Sequence, residues 1–199
     1  SSDFATRYAV EKFELIPKKD VTILEIGSQP ARIAALKDGK IQGAMLSIPE
    51  TLAAKKMGFS SLADLQMLGL EYQHTGLATT RRIIETQPDT IRKVMRAYVE
   101  GIYYYKTHRS EALKILQKYL RTNDIEAIAE TYEVLGLTLL PEKPYPTLRG
   151  IQMMLRELAT KEAKAQTARP EQFVDLTFIK ELDSSGLVDA LYKTGSSVA

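Results

Sequence analysis

Glycine and proline cut residues 21–58 into pieces that fit only short, alternating elements, and this punctuation constrains the fold more than any other feature of the chain. Val21-Thr22-Ile23-Leu24-Glu25-Ile26 is a β-branched run that stops at Gly27, and Pro30 then opens a helix through Lys37 that closes at Gly39. Ile41 to Leu46 forms a second extended run. Ser47-Ile48-Pro49 opens the next helix, which reaches Lys56 and ends at Gly58. The order predicts a βαβ unit. Such units require a parallel sheet, and their ligands gather where strand C-termini meet helix N-termini. Two junctions of that kind are expected, at Gly27 to Ala31 and at Ser47 to Glu50.

A helix over Phe4 to Glu14 precedes these elements, with Ser2-Asp3 as N-cap chemistry, Phe4, Tyr8 and Phe13 broadly on one side, and Pro17 as its terminator. No strand stands before this helix to complete a unit, so the chain is expected to begin within a domain. Leu65 to Glu71 and Gly76 to Thr80 add two short extended segments around Tyr72-Gln73-His74-Thr75. From Pro88 onward the periodicity is helical, with starts at Pro88, near Arg109, at Asn123 and at Thr147. The first of these helices carries Ile91, Val94, Met95, Tyr98, Ile102 and Tyr105 at helical spacing. Asn123-x-x-Glu126 fits a capping box. Pro141, Pro144 and Pro146 forbid a continuous helix and mark a linker. The last helices are expected around Phe173 to Leu182 and Leu187 to Tyr192, with a fraying tail from Gly195 to Ala199. The expected fold class is α/β: a lobe with parallel βαβ units followed by a mostly helical C-terminal half.

Composition removes several functions. Lys and Arg total 27 against 25 Asp and Glu, and the pairs Lys18-Lys19, Lys55-Lys56 and Arg81-Arg82 read as solvated surface, so no nucleic-acid partner is expected. The absence of cysteine eliminates disulfides, thiolate nucleophiles, Cys-based zinc sites and iron–sulfur clusters. His74 and His108 fit neither a metal spacing nor a catalytic triad, and no cofactor is expected. Tyr103-Tyr104-Tyr105 spans about 200° of a helix and cannot form a single aromatic platform. No run of about 18 apolar residues exists; were the chain exported, its signal would lie upstream of Ser1.

Ser1-Ser2-Asp3-Phe4-Ala5-Thr6, the stretch Ala34 to Ala44 (AALKDGKIQGA) and Ser47-Ile48-Pro49-Glu50 resemble the type 2 periplasmic-binding fold of the NMT1/THI5-like group, with its sulfonate, nitrate and taurine binders. Gln87 to Val94, Ala97 to Ile102 and Phe178 to Leu187 are similar to that group's return helix and C-terminal end. The resemblance implies a second-lobe α/β domain in residues 1–75. It implies a return segment and C-terminal helices, which normally complete the first lobe, in residues 76–199. It further implies an extracytoplasmic solute-binding component of an ABC importer. Its partners would be an ABC permease and a small-molecule ligand, a small organic anion or a heterocyclic metabolite, on which it performs no chemistry. An effector-binding regulatory domain of the same fold and a THI5-like pyrimidine-synthesis enzyme are the alternatives; those enzymes are iron-dependent and cysteine-bearing. Helices that have lost their usual partner would seek another, so a homo-oligomer is expected.

On this resemblance, ligand contacts fall at Ser1, Ser2 and Asp3, at Gln29 and Ser47 on the two junctions, and at Tyr72 and Thr75 where the group crosses between lobes. Ser2 and Asp3 fit a helix cap equally well, and Tyr72 and Thr75 fit a hinge brace. Arg32, one turn inside its helix, is assigned a surface ion pair.

Overall fold

The computed structural model describes residues 2–73 and 75–195. Two compact units divide the chain, Ser1–His74 and Thr75–Ala199. In the first, α1 (Ser2–Lys12) ends just before Glu14, whose φ of 60° no longer continues a helix. The Tyr8 hydroxyl donates to the Leu68 carbonyl at 2.9 Å and the Phe4 ring stacks on Tyr72 at 5.3 Å, so α1 lies along residues 68–72. α2 (Gln29–Lys37) begins with the Ser28 hydroxyl accepting from the Ala31 amide and with Pro30 in its first turn, where a missing N–H costs nothing. It buries Ile33 and Ala35, and α3 (Glu50–Lys56) buries Ala54.

Among the described residues there is no strand, and one isolated bridge pairs Pro17 with Val21. The expected α/β fold with parallel βαβ units is therefore overturned: the chain is helical. The two helices between the glycines form, but the runs at 21–26 and 41–46 acquire no ladder. β-branched composition records how well residues fit a pleated, half-buried surface; it does not supply the second backbone, about 4.8 Å away, that a strand needs. Residues 65–69 likewise close into a turn, with Leu68 N donating to Asp64 O at 3.0 Å and Leu70 N to Leu65 O at 2.9 Å.

The second unit is a helical assembly. α4 (Arg81–Thr86) leads into α5 (Pro88–Thr107), α6 (Arg109–Leu120) and α7 (Ile125–Thr131), which continues as a π-helical stretch over Tyr132–Leu139. α8 (Leu148–Leu158), α9 (Ala163–Gln166), a 3-10 turn at Pro170–Phe173, α10 (Thr177–Ser184) and α11 (Leu187–Gly195) follow. Val99 of α5, Ile179 of α10 and Val188 of α11 form a core cluster flanked by Met95, Tyr145, Leu182 and Leu191. Removing each such side chain from water contributes about 1.5–3 kcal/mol. Val94, placed inward by the sequence stripe, is 45% exposed because the buried face runs through Met95, Val99 and Ile102.

The three consecutive tyrosines point three ways. Tyr103 meets Tyr192 edge-on at 5.2 Å, Tyr104 stacks on His108 at 4.2 Å, and Tyr105 packs on Tyr132 at 5.2 Å. Tyr105 also presses against Gly136 of the π-helical stretch so closely that a Cβ there would collide with its ring. α7 is capped by Asp124, whose carboxylate accepts from the Ala127 amide at 3.0 Å, one residue later than the predicted Asn123. Asn123 instead accepts from the Gln117 amide. The proline-rich linker is clasped onto the last helices: Lys143 Nζ lies 2.6 Å from Asp183 and 2.8 Å from Asp189, and the Tyr145 hydroxyl donates to Asp183 at 2.7 Å. Of the predicted fraying tail, residues 196–199 lie outside the described residues.

Candidate functional site

α2 projects Arg32 from its first turn toward the ends of both unladdered runs. The guanidinium Nε and Nη2 donate to the Gly27 carbonyl at 3.1 and 2.7 Å, and Nη1 donates to the Met45 carbonyl at 2.9 Å. A further Nη2 bond reaches the Ser2 hydroxyl at 3.2 Å. One side chain thus ties together the start of α1, the approach to α2 and the approach to α3. This corrects the surface ion pair expected of Arg32. Every acceptor it meets is neutral, and no ion pair joins it to a carboxylate among the described residues.

Beside it, Gln29 and Ser47 are brought together. The Gln29 amide nitrogen donates to the Ser47 hydroxyl at 2.9 Å, and its carbonyl oxygen accepts from the Ser47 backbone N–H. Ser47 is exposed and Gln29 half-buried. Two of the predicted residues therefore bond to each other, and a third, Ser2, is joined to the same region through Arg32. The cluster presents hydroxyls, an amide and a guanidinium, groups that recognise oxygen and nitrogen atoms of a small polar molecule.

The other predicted residues fall elsewhere. Asp3 is exposed on α1 and holds Arg7 one turn away, at 3.0 and 2.9 Å; this hydrogen bond raises the Arg7 pKa. Tyr72 is half-buried under Phe4. Thr75 is exposed and belongs to the second unit. Ser1 and His74 lie outside the described residues. His108 sits between α5 and α6, stacked on Tyr104 and 2.9 Å from the Thr107 hydroxyl.

Sequence reasoning missed Arg32, although a signal was present. The segment QPARIAALK of α2 contains no acidic residue, so Arg32 has no carboxylate three or four positions away on its own helix. Arg92 on α5 is the contrast. It holds Glu181 at 2.8 and 3.2 Å and Asp89 at 2.8 Å, which cancels its charge and depresses the Glu181 carboxyl. Among the described residues, no group of three or more His, Cys, Asp or Glu side chains could hold a metal ion, and no helix is long and apolar enough to cross a membrane.

A model of the NMT1-like family matches residues 1–120, a span that contains Ser2, Gln29, Arg32 and Ser47. No curated protein and no solved structure matches the chain.

Proposed function

Because the chain belongs to the NMT1-like family, we propose that it is a solute-binding protein that holds a small organic anion or a heterocyclic metabolite and delivers it unchanged to an ABC permease outside the cytoplasmic membrane. The observation that carries this reading is the convergence of Ser2, Gln29, Arg32 and Ser47 from three separate segments. Convergent polar groups of mixed origin are what a small-molecule site requires.

The partners of the two serines favour binding over chemistry. A nucleophilic serine needs a neighbouring base to take its proton. Ser2 neighbours a guanidinium and Ser47 a carboxamide, neither of which accepts a proton at neutral pH.

Thermal unfolding measured against sulfonates, carboxylates, nitrate and pyrimidines tests the proposal. At least one compound should raise the midpoint saturably, lose that effect in Gln29→Ala, and be recovered unchanged. No shift with any compound, or recovery of a converted product, would count against it.

A further inference from the structure

We infer that the chain pairs with a second copy of itself through α6 and α7, the basic stripe of α6 in one copy lying on the acidic stripe of α7 in the other. The inference concerns the second unit and is independent of the cluster around Arg32.

α6 stops at Arg121, whose φ of 52° leaves the helix, and the Gln117 amide donates to the Asn123 side-chain carbonyl at 3.1 Å, so α7 starts against α6. Both rest on α5. α6 packs on it directly, and Tyr132, the residue that follows α7, donates to the Lys106 carbonyl at 2.9 Å and meets the Tyr105 ring. The inward residues are Ala112 on α6 and Ala127, Ile128 and Thr131 on α7. The outward residues recur at i, i+1, i+4 and i+5 on each helix, which is a single face.

On α6 that face is Lys114, Ile115, Lys118 and Tyr119, all exposed, with Ile115 at 46% and Tyr119 at 75%. On α7 it is Ile125, Glu126, Ala129 and Glu130, with Ile125 at 65%. The charges are sorted by segment. Residues 109–121 hold Arg109, Lys114, Lys118 and Arg121 against one carboxylate, Glu111, whereas residues 122–142 hold five carboxylates, from Asp124 to Glu142, and no Lys or Arg. Within one copy Arg109 reaches Glu133 at 3.4 Å. Lys118 lies over the Tyr119 ring at 5.6 Å, and neither it nor Arg121 joins an ion pair among the described residues.

The sorting selects the occupant. An anionic bilayer or an acidic protein would attract α6 and be repelled by α7 beside it. The partner must carry both signs side by side, as this chain does. A two-fold axis sets α6 on the partner's α7 and α7 on the partner's α6, so each attraction is made twice, and Ile115, Tyr119 and Ile125 leave water together. The patch is about 18 Å long and about 20 Å wide. That is smaller than the about 800 Å² per partner of stable complexes, so the dimer is weak, with a dissociation constant on the order of 100 µM.

Sedimentation equilibrium of the full chain from about 10 µM to about 1 mM tests this inference. The mass should rise from one chain toward two over that range, and less so as sodium chloride is raised. Lys114→Glu with Lys118→Glu should stay monomeric, as should Glu126→Lys with Glu130→Lys. An equimolar mixture of the two double variants should regain the dimer, because each reversed stripe then meets its opposite. A wild-type chain that stays monomeric throughout would overturn the inference; should that monomer bind vesicles of phosphatidylglycerol, the face would belong to a bilayer instead. A dimer that survives either reversal, or a mixture that remains monomeric, would overturn it too. Should a charge-reversal variant fail to fold by circular dichroism, Tyr119→Ser replaces it: the dimer should weaken at least several-fold, and an unchanged association would count against the pairing.

Discussion

In residues 75–195 the chain buries Val99, Ile102, Ile128, Tyr132, Ile151, Leu155, Phe178, Ile179 and Val188 among others, a set contributed by helices packed against one another. In residues 2–73 the buried apolar residues are Ile33, Ala35 and Ala54, while Phe13, Ile16, Leu24, Leu62 and Met67 remain exposed. Beside the Phe4–Tyr72 ring stack, what joins the elements of the first unit is polar: Arg32 on two carbonyls and a hydroxyl, Gln29 on Ser47, and Tyr8 on Leu68. The contrast teaches where rigidity and where binding chemistry reside. Apolar burial fixes a structure because it is large and non-directional. Polar contacts contribute about 1 kcal/mol each and can be exchanged for contacts to a ligand, so the polar unit is the one suited to bind.

The sharpest way to break this contrast is a large-to-small substitution in each unit. Ile179→Ala should cost about 2–5 kcal/mol in a urea titration, because its neighbours Val99 and Val188 are fully enclosed and cannot collapse into the space. Ile33→Ala should cost less, since its site is shallower. Equal losses at the two positions would erase the distinction.

Gly136→Ala probes the close approach of Tyr105 to the π-helical stretch. The added methyl meets the Tyr105 ring, and an overpacked contact of this kind costs about 1–3 kcal/mol. The near-ultraviolet circular dichroism of the tyrosines should change with it; an unaltered spectrum and midpoint would mean that the ring moves aside freely.

The smallest expected effect concerns the clasp on the linker. Lys143 first, and then the Tyr145 hydroxyl, hold the Asp183 carboxyl below its ordinary range. A carboxyl whose folded pKa is lowered contributes stability that is complete above its unfolded pKa of about 4 and is lost as pH falls through the folded value. Asp183→Asn should therefore lower the melting midpoint at pH 6, and its deficit against wild type should shrink as pH is taken below about 4. A deficit that stays constant over that window would show that charge plays no part in the clasp.

Legibility in the sequence follows the same division. α5 and α8 could be placed from Pro88 and Thr147 because a helix carries its own hydrogen bonds and announces itself by period and by cap. The cap of α7 was misplaced by one residue, since Asn123 and Asp124 are both competent and only tertiary contact decides that Asn123 turns to Gln117. The runs at 21–26 and 41–46 look like strands and form none because strand pairing is non-local: composition shows that a segment could pair, and nothing in the segment names its partner. The glycine and proline spacing puts Gln29 and Ser47 at strand ends. The structure joins them by side-chain bonds where no ladder exists. The π-helical stretch had no periodic mark, and Gly136 in the apolar run YEVLGLTL was the one local sign of a close approach.

The most direct test of the account is a two-dimensional amide NMR titration with the compound that raises the thermal midpoint most. The account predicts saturable shifts at Ser2, at Gly27 to Arg32 and at Met45 to Ser47, with the amides of α5, α10 and α11 unmoved. Shifts that instead cluster on α5 and α10, around Arg92 and Glu181, would contradict it.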